Sequence, residues 1–168
     1  MEWLPFDLHP EYPPEGVPRT DLEKRYGPGV NDRTRATIEA TGWTYNPPDT
    51  IPNSRRALAV TELARDRGLH EPVHDRLMHA YWSEAADLGD EEVLLALVGA
   101  AGLDPEEARE ALENDNFVDR VLESTKTANM HGINAIPAFV FDHRLLVMGA
   151  HPHETFEQAI ELLEREET

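Results

Sequence analysis

The chain has 168 residues, 40% of them apolar, which is enough for one domain with a core of its own. Lys and Arg number 15 against 33 Asp and Glu; the net charge of −18 repels phosphate backbones and acidic lipid surfaces, so neither a nucleic acid nor a membrane is expected as a partner. With no cysteine, a structural disulfide, a thiolate zinc site and a cysteine nucleophile are all excluded from these residues.

The first residues, Met1-Glu2-Trp3-Leu4-Pro5, lack the basic start and apolar run of a signal peptide, and no uninterrupted apolar stretch is long enough to span a bilayer. A cytoplasmic location is the expectation. Trp3, Leu4, Phe6 and Leu8 partly alternate and predict a short strand over Trp3–Leu8. Nine of the 13 prolines then fall between Pro5 and Pro52 and break up regular structure. Within that stretch, Asp21 to Tyr26 and Asp32 to Thr41 read as short helices, followed by Gly27 and Gly42 in C-capping positions.

From Asn53 the pattern turns helical. Asn53 or Ser54 caps a helix that runs to Arg67 and stops at Gly68. The next has Pro72 in its first turn and a stripe of Val73, Leu77, Tyr81 and Ala85. Asp90 caps a third, with Val93, Leu94, Leu97 and Val98 inward, ending at Gly102. Asp104-Pro105-Glu106-Glu107 resembles a capping box. A fifth helix, Asp115 to His131, places Val118, Val121, Leu122, Thr125 and Ala128 on one side and terminates at Gly132. After it, Ala138 to Phe141 and Arg144 to Met148 read as a β-hairpin with Asp142-His143 as a two-residue turn. Pro152 opens a last helix whose Phe156, Ala159, Ile160 and Leu163 are spaced to pack on a sheet. A block of helices thus interrupts a small α/β unit, which implies an insertion rather than tandem domains.

The most informative run is Gly132-Ile133-Asn134-Ala135-Ile136-Pro137-Ala138-Phe139-Val140-Phe141. Proline directly before a strand is permitted because it need not donate to the ladder. On frequency alone the Ile136–Pro137 bond is trans; a cis bond would turn the chain sharply and leave neighbouring backbone open to an extended ligand. The run resembles the cis-proline loop of thioredoxin-fold proteins. Val147-Met148-Gly149-Ala150-His151-Pro152 is similar to the end of the same hairpin in the FrnE branch of the DsbA-like oxidoreductases, where Gln usually stands in place of His151. Trp3 to Pro10 is similar to that family's second strand and the loop after it. Asn53 to Leu58, Val73 to Trp82 with Leu88-Gly89-Asp90, and Ala101 to Pro105 resemble its inserted helices, all in register. The 2-hydroxychromene-2-carboxylate isomerases and kappa-class glutathione transferases are relatives of the same fold; Gly149-Ala150 fits FrnE better.

The resemblance implies a thioredoxin-like α/β fold with a large inserted helical subdomain. Residues 1–52 are the thioredoxin-fold strand and Pro-rich connection, 53–131 the insertion, and 132–168 the cis-proline loop, hairpin and C-terminal helix. It also implies that the family's central first strand and its Cys-x-x-Cys helix are missing from these residues. An upstream truncation, direct pairing of the two orphan strands, and completion by a second copy in a homodimer are the three alternatives, of which truncation is preferred. In the family the substrate enters a cleft beside the cis-proline loop, so Ala135, Ile136 and Pro137 are the expected substrate-binding residues, with a peptide or thiol-containing substrate as partner. No catalytic residue, metal ligand or cofactor is expected. The functional readings are a dithiol–disulfide oxidoreductase family member inactive in thiol exchange as this chain, a cysteine-free peptide or small-molecule binding module, and a glutathione-dependent isomerase relative.

Other residues carry weaker signals. His70 and His74 have a ligand-compatible spacing near His79, but no acidic or cysteine partner pattern accompanies them, and exposed histidines are the ordinary reading. His151-Pro152-His153 is similar, with helix capping as its ordinary reading. Trp43, Tyr45, Tyr81 and Trp82 either line an aromatic cleft or, more commonly, pack together. Glu91-Glu92, Glu106-Glu107 and Glu164 to Glu167 lie at helix starts and in an end tail, where solvation and the helix dipole account for them.

Overall fold

The computed structural model describes residues 1–166, in two compact units: Met1–Ser124, and the described residues from Thr125 onward. Glu167 of the expected acidic tail lies outside the described residues.

The first unit opens with an irregular segment. Residues Trp3–Leu8, expected as a strand, pair with no strand among the described residues. Pro5 has no N–H to give a ladder, and side chains hold the segment instead. Ser124 Oγ donates to the Pro5 carbonyl at 2.7 Å, and the Arg65 guanidinium donates to the Trp3 carbonyl. Asp7, only 2% exposed, accepts from Arg55 Nε at 2.9 Å, while Arg55 Nη2 donates to the Pro10 carbonyl at 3.2 Å.

Two strands that the sequence does not announce follow. β1 (Val17–Pro18) pairs antiparallel with β2 (Thr50–Ile51), with Val17 opposite Ile51. Gly16 makes this approach possible. Its φ is +76°, and a Cβ there would sit 2.3 Å from the Ile51 carbonyl oxygen. Between the strands lie α1 (Asp21–Tyr26) and α2 (Val30–Ala40), so the second short helix starts two residues before the expected Asp32.

The core of this unit belongs to α3 (Arg55–Asp66), α4 (His70–Ser83), α5 (Glu91–Ala100) and α6 (Pro105–Glu113), joined by the first part of α7 (Asp115–Met130). Val60, Leu63, Val73, Leu94 and Val98 are fully buried, and Ala57, Ala64, Ala80, Ala108 and Ala111 fill the close approaches between helices. Asp90 caps α5 by accepting from the Val93 N–H at 3.0 Å, and Asp104 caps α6 from Glu106 at 2.9 Å.

Several expected inward positions differ. Leu95 is buried on α5, whereas Val93 is only half-buried. α4 ends at Ser83, so Ala85 is an exposed residue with φ +56° and Ala80 takes the buried place. The reciprocal half of the capping box is not made, because Glu107 accepts from Arg67 Nε at 2.8 Å instead. On α7, Val121 and Thr125 are buried but Leu122 is 40% exposed. A charged cluster sits beside this core: buried Glu62 accepts from Arg65 at 3.1 Å and Arg120 at 2.8 Å, and Arg120 also reaches Asp66 at 2.7 Å. Each charge removed from water there gains compensating partners.

The second unit holds the end of α7, a hairpin and a helix. β3 (Ala138–Phe141) pairs antiparallel with β4 (Leu145–Met148) in the register Ala138–Met148 to Phe141–Leu145. The turn spans Asp142, His143 and Arg144, one residue longer than expected. Its first two residues have positive φ, and the Arg144 N–H donates to the Phe141 carbonyl at 3.0 Å. Phe139 and Phe141 face Phe156 of α8 (His153–Glu166), with ring centroids 4.8 and 6.3 Å away. Ala159 is buried on the same helix, but Ile160, expected inward, is 47% exposed.

Candidate functional site

Gly132 ends α7 with φ +79°, and the Ile133 N–H closes the helix on the Ala128 carbonyl at 3.0 Å. Three residues later the Ile136–Pro137 peptide bond is cis, as the resemblance implied and against the ordinary frequency. The Pro137 carbonyl accepts from the Gly149 N–H at 2.7 Å, which ties the loop to the far end of the hairpin. Ala135, Ile136 and Pro137 are therefore adjacent on a loop anchored at both sides, and all three are exposed. Among the described residues neither the Ala135 nor the Ile136 amide has a hydrogen-bond partner. An unpaired N–H beside a strand can donate to a carbonyl of an extended chain.

The hairpin next to the loop is apolar on both faces. Phe139, Phe141, Leu145 and Val147 are half-buried on the α8 side. Val140, Leu146 and Met148 stand exposed on the other. Such a pattern belongs to strands built to be covered on two sides.

The described residues include no group of three or more His, Asp or Glu side chains able to hold a metal. The histidines have other partners. His70 stacks on His74 at 5.7 Å between ring centroids and His74 on Trp3 at 5.8 Å; burial first, and then the Arg65 charge, push the His70 imidazole below its ordinary pKa. His79 Nδ1 lies 2.9 Å from the Glu84 carboxylate. His151 Nε2 lies 2.8 Å from the Met148 carbonyl oxygen, and His153 sits near Glu157 at 3.5 Å.

The aromatic residues pack on one another. Tyr45 stacks on Trp82 at 6.1 Å, Tyr81 meets Trp82 edge-on at 4.8 Å, and Trp43 meets His79 at 5.2 Å. Arg19 Nη2 donates to the Tyr81 hydroxyl at 2.7 Å. Burial raises the Tyr81 pKa despite that neighbouring charge. Beside this cluster, α2 and the Pro-rich segment border an open surface depression whose lining includes Arg19, Asn31 and Arg35. The sequence gives no warning of it. Only the four-residue spacing of Asn31 and Arg35 hints at a shared helix face, and nothing local joins them to Arg19 or Tyr45.

A helical insertion, a cis-proline loop running into a hairpin, and a helix packed on that hairpin define a protein of the thioredoxin class with a DsbA-like insertion. A family model for the DSBA-like thioredoxin domain matches residues 1–161, and the chain belongs to that family. It is 28% identical over 163 residues to the uncharacterized protein YwbO of Bacillus subtilis, an alignment covering 95% of this chain and 80% of YwbO. It also superimposes on the crystal structure of a probable DsbA oxidoreductase from Streptomyces coelicolor with a TM-score of 0.86 at 30% identity, over 97% of this chain and 74% of that one.

Proposed function

We propose that this chain is a DsbA-type scaffold of the FrnE branch that binds a peptide or thiol-containing substrate at Ala135, Ile136 and Pro137 and performs no dithiol–disulfide exchange with its own residues. The observation that carries the reading is the family match over residues 1–161 in a chain of 168 residues without a cysteine. Exchange requires a thiolate to attack a disulfide sulfur and a mixed disulfide to form. These residues supply neither sulfur. Binding needs no sulfur, and the exposed loop with two unpaired amides beside an apolar strand supports it. The FrnE assignment rests on the Gly149-Ala150 hairpin ending. The same reading assigns residues 1–52 and 132–168 to the thioredoxin part and 53–131 to the insertion, and puts the protein in the cytoplasm.

The test is a titration of the isotopically labelled chain with a permanently unfolded, carboxymethylated polypeptide. The amide resonances of Ala135, Ile136 and Ala138 are expected to shift saturably. Ile136→Asp, which puts a charge on an exposed loop residue in an already acidic chain, is expected to weaken binding by about tenfold. Shifts confined to other regions, or equal binding by Ile136→Asp, would contradict the assignment.

A further inference from the structure

Ahead of β1, the irregular segment meets the last turn of α1. His9 and Glu11 of the segment and Arg25 and Tyr26 of the helix form one polar cluster inside the Met1–Ser124 unit. The binding role proposed for the cis-proline loop uses none of these side chains.

The segment is pinned from several sides. The Tyr12 N–H donates to the His9 carbonyl at 3.0 Å, Asn53 Nδ2 donates to the Tyr12 carbonyl at 2.7 Å, and Arg55 Nη2 donates to the Pro10 carbonyl at 3.2 Å. The His9 ring stacks on Tyr12 with centroids 4.5 Å apart, and its side chain is only 16% exposed. The imidazole therefore has a fixed position and a fixed plane.

Its partners set the order of the protons. Glu11 Oε1 accepts from Arg25 Nη1 at 2.6 Å and lies 3.3 Å from His9 Nδ1. The Arg25 hydrogen bond holds the Glu11 carboxyl below its ordinary pKa, so a carboxylate stands there at neutral pH. Nδ1 is buried and makes no well-aligned hydrogen bond, and the negative charge beside it favours the tautomer with the proton on Nδ1. Nε2 is then the acceptor, and the Tyr26 hydroxyl, 2.8 Å away, donates to it. Burial first, and then the Arg25 charge, push the His9 imidazole below its ordinary pKa, against the opposite pull of Glu11 and Asp7. A neutral imidazole in hydrogen-bond reach of a hydroxyl can take its proton. The Arg25 guanidinium lies 5.7 Å from the Tyr26 ring centroid, where its positive charge favours a developing phenoxide.

The hydroxyl end of this chain of groups is open. Tyr26 is 45% exposed, whereas Tyr12, Tyr45 and Tyr81 are all partly buried. A carboxylate, an imidazole and a hydroxyl in hydrogen-bonding order form the arrangement that activates a hydroxyl as a nucleophile.

We propose that Tyr26 is a nucleophile toward activated carboxylic esters, with His9 as its general base and Glu11 fixing the imidazole tautomer. The Tyr26 oxygen bonds to the acyl carbon and its proton passes to His9 Nε2. The bond from that carbon to the leaving oxygen breaks, and the leaving alcohol takes its proton from His9 or from solvent. Water, giving a proton to His9, then cleaves the tyrosyl ester, which releases the carboxylic acid and restores the phenol.

The test treats the full chain with 4-nitrophenyl acetate at neutral pH and follows 4-nitrophenolate release, with N-acetyltyrosinamide as the unassisted reference. Release is expected to be at least about tenfold faster than for the reference, and peptide mass spectrometry of the quenched reaction is expected to place an acetyl group on Tyr26. Tyr26→Phe, at an exposed position, is expected to abolish that release. His9→Gln is expected to slow it by about tenfold or more. The rate is expected to rise with pH through one ionisation below the ordinary imidazole value of 6.5 and then level off. In His9→Gln it should instead climb toward the phenol range. This pH profile of the unaltered chain reports on His9 even where His9→Gln does not fold. Release no faster than the reference, acetylation confined to Lys24, Lys126 or the N-terminus, an undiminished rate in a folded His9→Gln, or a profile without the low inflection would each overturn the proposal.

Discussion

Gly16 shows how one side chain of no size sets a local structure. Its positive φ and the 2.3 Å gap to the Ile51 carbonyl oxygen leave no room for a methyl group, so the β1–β2 bridge depends on glycine. Gly16→Ala is expected to lower unfolding free energy by about 1–3 kcal/mol in a denaturant titration. Tyr81 makes an electrostatic statement. Because burial raises its pKa above the ordinary tyrosine value of 10.0, the unfolded chain releases that proton first as pH rises. The stability it contributes is complete below pH 10 and is lost as pH climbs through the folded-state value. The phenolate absorbance that disappears in Tyr81→Phe is therefore expected to titrate above pH 10, and a transition below that value would contradict the buried assignment. Neither property can be read from sequence. A glycine among prolines looks like any loop glycine, and the Tyr81 environment depends on Arg19, 62 positions away.

Helices α3 to α7 were readable because their signals are local: caps at Asp90 and Asp104, stops at glycines, and apolar residues three and four apart. Periodicity marks a face but not its edges, so Leu122 and Ile160 lie on the exposed margins of their stripes. The Trp3–Leu8 strand was misread because alternation says nothing about whether a partner strand exists. There, Asp7–Arg55 and Ser124–Pro5 contacts replace the ladder. β1 and β2 were missed since two-residue strands leave no period to detect. The division between buried and marginal positions is measurable. Leu94→Ala, in the centre of α5, is expected to cost about 2–5 kcal/mol, whereas Leu162→Ala, 49% exposed on α8, is expected to cost less than about 0.5 kcal/mol.

For the whole molecule, family membership follows from the sequence match and the superposition together, and the cis-proline loop was the part of the site most visible beforehand. The cis Ile136–Pro137 bond is as the resemblance implied, and Ala135, Ile136 and Pro137 are exposed beside it; their role as substrate-binding residues belongs to the proposal. The surface depression beside Arg19 and Arg35 is not legible in the sequence because its lining comes from α2 and two irregular segments that only the fold assembles. No described helix is long and apolar enough to cross a membrane.

Whether a DsbA-like scaffold keeps its chemistry without sulfur is decided by the reduction of insulin by dithiothreitol, followed as turbidity with the purified 168-residue chain at a mass confirmed by spectrometry. The chain is predicted to leave the lag and slope at the dithiothreitol-only values. A concentration-dependent shortening of the lag by this cysteine-free polypeptide would contradict the account.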